Sequence, residues 1–428
     1  MSTLSQLREQ LNRGGFDGTL ASVYCTDTAG VAVQKVRYAG AIDSFAAIFP
    51  ERDEISLFSA PGRTEVGGNH TDHQHGCVLA AGVNLDVIAV AAPRGDNRIT
   101  VKSEGFDADV VDISQLSPRS EDTGRSAALI RGVCDGFVRR GYQIGAFDAY
   151  TTSNVLKGSG LSSSAAFEVL IGTVLNHLYN GGRIDAVTIA QIAQYAEREH
   201  FGKPCGLMDQ TASSVGGFVS IDFADPQKPI VRQIDFEFSD CGHDLVIVDT
   251  HGDHADLTDD YAAIGGEMRS VAVQFGQEVL RPVSPDEFYA RLGEFKGKVS
   301  DRALLRAMHF FAENELAQKE AATLERGDFN AFKQQVLASG KSSYCLLQNV
   351  FSTAHPERQE VPLALALSER MLAGKGAWRV HGGGFAGTIQ AFVPSELTSG
   401  YCTAMESVFG NGCCYVLSVR PVGAIKLI

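Results

Sequence analysis

Apolar positions along this chain switch between helical and strand spacing without a steady strand–helix–strand rhythm. Over 37–49, Tyr38, Ile42, Phe45 and Ile48/Phe49 recur at intervals of three to four, which predicts a helix that Pro50 ends. ISLFSA at 55–60 is strand-like, and VLAAGVNLDVIAVAA at 78–92 pairs with NRITVKS around a turn at 93–96. Helices are predicted over 127–140, 161–180, 184–200 and 206–215, and strands over 147–153 and 218–223. Pro226 and Pro229 sit in a polar linker, after which HDLVIVDT at 243–250 opens a second half. That half is helical over 259–350, then runs helix 361–373, strands 377–381 and 387–393, helix 395–408 and strand 414–419. Irregular alternation of this kind points to an α+β fold. Residues 1–36 have no strong period and read as an N-terminal extension. The expected domains are 37–225 and 226–428, with the last strand free to return to the first of them.

A chain of 428 residues can bury a large core, and two domains are the ordinary outcome. The net charge of −14 argues against nucleic acid and anionic membrane surfaces as partners, so any phosphate must be held by local features. The start, MSTLSQLREQLNR, is charged and lacks the apolar centre of a signal peptide, and the most apolar stretch, 78–92, carries Asn84 and Asp86. The nine cysteines are scattered with no CxxC, which reads as reduced thiols in a cytoplasm.

Two polar, glycine-rich stretches break the apolar pattern. APGRTEVGGNHTDHQHG at 60–76 crowds Arg63, Glu65, Asn69, His70, Asp72, His73 and His75 together just after a strand. Such groups are costly to bury. They suit either a solvated loop or a site that grips a polyhydroxylated ligand. KGSGLSSSAAFEVL at 157–170 places Gly158 and Gly160 before three serines and an apolar helix. Backbone N–H groups at a helix start attract anions, and serine hydroxyls add donors or a Mg²⁺ ligand. The stretch is neither a Walker A loop nor a dinucleotide fingerprint, and a serine-capped helix after a glycine turn is the plain alternative.

GLSSSAA, the opening APGR…HTD and the late GGGFAG together resemble the three motifs of the GHMP sugar kinases, in the family's order. The opening is closest to the galactokinase form, as is CGLMDQ at 205–210, and the resemblance runs from about Phe45 to the C-terminus. It implies a ribosomal-protein-S5-like N-terminal domain, a ferredoxin-like C-terminal domain and an active site between them. It implies transfer of the ATP γ-phosphoryl group to the anomeric hydroxyl of galactose or a close relative, by a monomer. By the same resemblance Asp209 is the catalytic carboxylate and Arg63 the catalytic arginine. Asn69, His70, Asp72, His73, Gly206 and Tyr261 contact the sugar. Gly158, Ser159, Gly160, Leu161, Ser162, Ser163 and Ser164, with Gly383 and Gly384, hold the nucleotide. Ser164 and Glu197 hold Mg²⁺, with Glu199 the rival carboxylate two positions on.

The opening motif departs from the family's GRVNLIGEHTDY. Glu65 stands for the usual Asn, Asn69 for the Glu that meets the 6-hydroxyl, and His73 for the usual Tyr. Asn69 removes a charge that would repel a carboxylate at C6, so galacturonate is the alternative substrate. Lys157 precedes the phosphate loop where the family has a small residue, and Asp253 stands where an Arg is usual. HTDHQH and HGDHAD (His251, His254) contain metal-ligand types at no known zinc spacing, and a sugar-binding loop is the better reading. A non-catalytic sugar and ATP sensor would show damage in the phosphate loop or at Asp209, and both are intact. A mevalonate- or homoserine-type substrate fits poorly with so many polyol-binding groups.

Overall fold

In the computed structural model, which describes residues 2–155, 160–252, 257–385 and 387–428, the strands fall into two sheets. The first is built on two long antiparallel strands, Glu54–Gly67 and Cys77–Pro93. The far half of Cys77–Pro93 pairs with Phe147–Ser153 and its near half with Phe218–Asp222. Side chains alternate across a strand, and here both faces are covered. Phe58, Ala60, Ala89 and Ala91 join the core shared with helix Ser163–Tyr179. Ile55, Leu57, Ile88 and Val90 point the other way, into a separate core with the N-terminal helices. The second sheet runs Ala377–His381, Thr388–Pro394, His243–Asp249, Cys414–Leu417, all antiparallel.

Residues 2–36, read as an extension, pack their apolar side chains into a core with the first sheet. Thr3 and Gln6 form a reciprocal cap on helix Leu4–Asn12, and Asp27 caps a helix running Thr28–Ile48, which starts nine residues before the predicted 37. Leu7, Leu11, Leu20, Val23 and Tyr24 are buried. The opening motif also differs from its reading as a loop. The strand continues through it to Gly67, with register shifts between Pro61 and Arg63 and between Glu65 and Gly67. These irregularities bend the strand and re-aim its side chains. Ile230–Ile234, past the two prolines, pairs with Phe218–Asp222, and Ile425–Lys426 pairs with Phe58 and Ser59. No described helix is long and apolar enough to cross a membrane, and all nine cysteines are free.

Candidate active site

Arg63 leaves the bent strand with only 8% of its surface exposed. Its Nε donates to Oδ1 of Asp209 at 2.7 Å, and its Nη1 donates to the Gly160 carbonyl. Its backbone N–H donates to the Leu161 carbonyl at 3.0 Å, tying the strand to the phosphate loop. Asp209 is the second residue of helix Met208–Val215, and its other oxygen accepts from Ser162 Oγ. Three sequence-predicted residues, 146 and 47 positions apart in the chain, therefore meet at one carboxylate. Withdrawal from water raises the Asp209 pKa, but the Arg63 charge, the two hydrogen bonds and Lys203 outweigh it and hold it below the ordinary carboxylate range. The carboxylate is ionised at neutral pH and keeps about a third of its surface (31%) open.

Gly160 and Ser162 both have positive φ, 74° and 55°. The second is uncommon for a residue with a side chain and turns the chain sharply into helix Ser163–Tyr179. Ser163 and Ser164 supply the first N–H groups of that 17-residue helix, the end that favours an anion. Ser164 Oγ donates to Glu197 Oε1 at 3.1 Å, Lys203 Nζ donates to the same oxygen at 2.8 Å, and Gln210 Nε2 donates to Oε2 at 2.7 Å. A hydroxyl beside a buried carboxylate suits a hard cation, and Lys203, more than half exposed, supplies the positive charge there. Glu199 is exposed, whereas Glu197 is buried.

Three of the predicted sugar residues, Asn69, His70 and Tyr261, contact the glycine loop after strand Ala377–His381. His70 Nε2 lies 3.1 Å from the Gly383 carbonyl, and Tyr261 donates to the Gly384 carbonyl at 3.2 Å. A Cβ on Gly383 would stand 2.6 Å from the Tyr261 ring, so the backbone there needs glycine. Gly383 and Gly384, expected at the phosphates, thus face His70 and Tyr261, while His381 packs beside Gly160. Burial and the neighbouring His73 push the His70 pKa down to about 4, so it is neutral at pH 7. Asp72 and Gly206 meet: a Cβ on Gly206 would lie 2.6 Å from Asp72 Oδ2. With His73, His75, Arg198 and Leu207 they border a cavity of about 490 Å³, whose walls do not include Arg63 or Asp209.

Asn69 is placed differently from its expected role at the sugar. It is 0% exposed. Its Nδ2 donates to Glu65 Oε1 at 2.8 Å and to the Gly382 carbonyl at 2.7 Å, and its Oδ1 accepts from Asn349 at 2.9 Å. Both amide atoms are spent on the protein, because the residue points behind the loop. Glu65 is its partner there and is also held by Arg379 at 2.9 Å. Burial pushes the Glu65 carboxyl up to about 7 against the pull of Arg379.

Several buried polar residues behind the site have no counterpart in the sequence reading: His309, Glu313 and Glu320 on helix Asp301–Glu325, with Asn349 and Arg379. Glu320 is 0% exposed and, among the described residues, neither carboxylate oxygen has a hydrogen-bond partner. Burial, and then the Glu313 charge, raise its pKa well above the ordinary value. The folded state thus keeps a proton that the unfolded chain releases, so stability falls as pH rises above the unfolded pKa. Glu320→Gln removes that penalty. Its melting temperature is expected to exceed that of the wild type by about 2–5 °C at pH 8, with the gap closing towards pH 5. Equal differences at both pH values in a calorimetric scan would contradict the buried neutral acid.

Gly158, Ser159, Lys157, Asp253 and His254 lie outside the described residues. His251 pairs with Asp249 at 3.4 Å. Among the described residues no three His, Cys, Asp or Glu side chains are grouped to hold a metal.

Comparison with known proteins gives a consistent set of matches. Residues 128–217 match the model for the GHMP kinases N terminal domain, and residues 43–93 match the galactokinase galactose-binding signature. The chain is 30% identical over 355 residues to the galactokinase of Streptomyces coelicolor, covering 82% of this chain and 88% of that one. Among solved structures, the Lactococcus lactis galactokinase complexed with galactose superposes with a TM-score of 0.76 at 23% identity, over 91% of this chain and 100% of that one. The Methanococcus jannaschii mevalonate kinase reaches 0.61 at 13% identity, over 86% and 98%.

Proposed function

This chain belongs to the galactokinases of the GHMP kinase family, and on that premise we propose that it transfers the γ-phosphoryl group of ATP to the anomeric hydroxyl of galactose. The observation that carries the reading is the meeting of Arg63, Asp209 and Ser162 at the mouth of the phosphate loop. Phosphoryl transfer through a loose transition state asks little covalent chemistry of the protein. It needs the hydroxyl held in line and its proton accepted late. Asp209, ionised and partly open, is placed for both. Arg63 keeps Asp209 charged and lies between it and the loop that would hold the phosphates, where a guanidinium stabilises charge on the transferring group. The backbone N–H groups at the start of helix Ser163–Tyr179 orient the phosphates. Ser164 and Glu197 would hold Mg²⁺, which when bound neutralises charge on the phosphate oxygens.

At the sugar end, Asp72, His70 and Tyr261 are the hydroxyl ligands in this reading. The galacturonate alternative rested on Asn69 facing C6. With that side chain turned into the protein, galactose is the better-supported substrate. In this reading the two sheets mark two domains, the first extending through Ile234 and recovering Ile425–Lys426.

The test is ADP release and product analysis with galactose, galacturonate and mevalonate. Galactose is expected to exceed the others in kcat/KM by at least about 100-fold. Tight nucleotide binding without turnover of any sugar would leave a sensor, and turnover of mevalonate alone would move the chain elsewhere in the family.

A further inference from the structure

The residues that shape the sugar loop are supplied by the far half of the chain. Glu313, 1% exposed on helix Asp301–Glu325, turns one oxygen to the loop backbone. Its Oε1 accepts from the N–H of Gly68 at 3.1 Å and of Asn69 at 3.3 Å, and from Ser339 Oγ at 2.5 Å. One turn earlier His309 donates through Nε2 to the Asn69 carbonyl at 2.9 Å, its Nδ1 taking the Ser342 hydroxyl at 2.8 Å. One residue after Glu313, Asn314 Oδ1 accepts from the Cys77 N–H at 2.8 Å. A single helix thus grips both ends of the segment 68–77. Within the grip, His70 has φ 58°, a left-handed conformation that a side chain rarely adopts. Such backbone persists only where its surroundings over-determine it.

We propose that Glu313, assisted by His309, is a positioning residue for galactose: it fixes the backbone at Gly68 and Asn69, and so sets where His70 and Asp72 stand. Neither residue touches the sugar. Asn69 serves the same device, which accounts for its burial and for both of its amide atoms being spent on the protein. The proposal rests on the sugar-loop reading above for its consequence in catalysis, but not for the contact itself.

Glu313→Ala leaves two buried N–H groups without an acceptor, whereas Glu313→Gln keeps a carbonyl oxygen in place. In the full-length enzyme Glu313→Ala is expected to raise KM for galactose about 10- to 100-fold while KM for ATP stays within about threefold. Glu313→Gln should stay within about threefold of wild type in both. In the ligand-free protein, hydrogen exchange at the Gly68 and Asn69 amides should speed up at least about tenfold in Glu313→Ala, with strand Glu54–Gly67 unchanged. Unchanged protection at those amides, or equal changes in both KM values, would overturn the proposal. Should Glu313→Ala fail to fold, His309→Ala gives the same pair of readouts. If the wild type proves inert towards galactose, the functional reading falls, and the exchange data still decide whether the clamp exists.

Discussion

Asp209→Asn is expected to lower kcat by about 10³-fold or more while leaving KM for galactose within a few-fold. The substitution is nearly isosteric. An amide oxygen still accepts from Arg63 Nε, now at 2.7 Å from Oδ1, and the amide nitrogen faces the Ser162 hydroxyl, which can accept instead of donate. The architecture survives while the proton acceptor is lost. The charge that partners Arg63 is lost as well, so the guanidinium is no longer balanced before the phosphates arrive. Retained nucleotide binding and an unchanged melting temperature would locate the defect in chemistry. A loss in kcat of less than about tenfold would reduce Asp209 to a holder of Arg63 and leave the acceptor elsewhere. The pH profile carries a second check. Because the folded-state pKa of Asp209 is depressed, the residue is already ionised through the mildly acidic range. Titration of this carboxyl should therefore cost activity only below the ordinary aspartate range, and the rate at pH 5 should not be limited by it.

What the sequence revealed and what it hid divide along a physical line. Arg63, Ser162 and Asp209 were legible through the resemblance of their short motifs, APGR, GLSSSAA and CGLMDQ, to those of the GHMP sugar kinases; residue chemistry alone left a serine-capped helix open at the second. Contacts between such stretches follow once the sheet brings their strands together. Polarity misled at 61–67, where the residues continue a strand and are buried by the second half of the molecule. Nothing local says that Glu65 will meet Arg379, 314 residues later. Asn69 was assigned to the sugar by its place in the family motif, where the Glu that meets the 6-hydroxyl usually stands, and nothing local marks it as turned into the protein. The clamp did leave a trace. His309, Glu313 and Glu320 recur at intervals of four and seven and so fall on one helical face, the face that also buries Ala317 and Leu324. A polar stripe on a buried face is the signature of a partner elsewhere. The N-terminal helices were missed because their apolar residues are sparse, yet their caps, Thr3 with Gln6 and Asp27 before Gly30, are readable in the sequence.

Asp86→Ala is expected to cost about 3–5 kcal/mol, a large fraction of the roughly 5–15 kcal/mol that holds a folded domain together. Asp86 is wholly buried on the central strand Cys77–Pro93, where a lone carboxylate could not remain charged. It is instead the point at which both ends of the chain are fastened. Arg37, from helix Thr28–Ile48, donates to Oδ1 and to the Asp86 carbonyl, the latter at 2.9 Å. Arg420, from the C-terminal segment, donates to Oδ2 at 3.2 Å, and Tyr24 donates to the same oxygen at 2.6 Å, with Ser59 beside them. Burial alone would raise the Asp86 pKa, but the two guanidiniums and the hydroxyls bring the net value below the ordinary range. A depressed carboxyl contributes stability that is present above its unfolded pKa and is lost as pH falls through the folded one. Removing the side chain strands Arg420, itself 0% exposed, as an uncompensated buried charge, and takes away the carboxylate that accepts from the Tyr24 and Ser59 hydroxyls. The damage also reaches the active site, since Asp86 pairs in register with Pro61, two residues before Arg63. A fall in the urea midpoint at pH 7, early proteolytic release of the N-terminal helices and a shallower loss of stability in acid are the expected signs. An unfolding free energy within about 0.5 kcal/mol of the wild type would mean that the chain ends are held by apolar packing alone and that the buried charges are spectators.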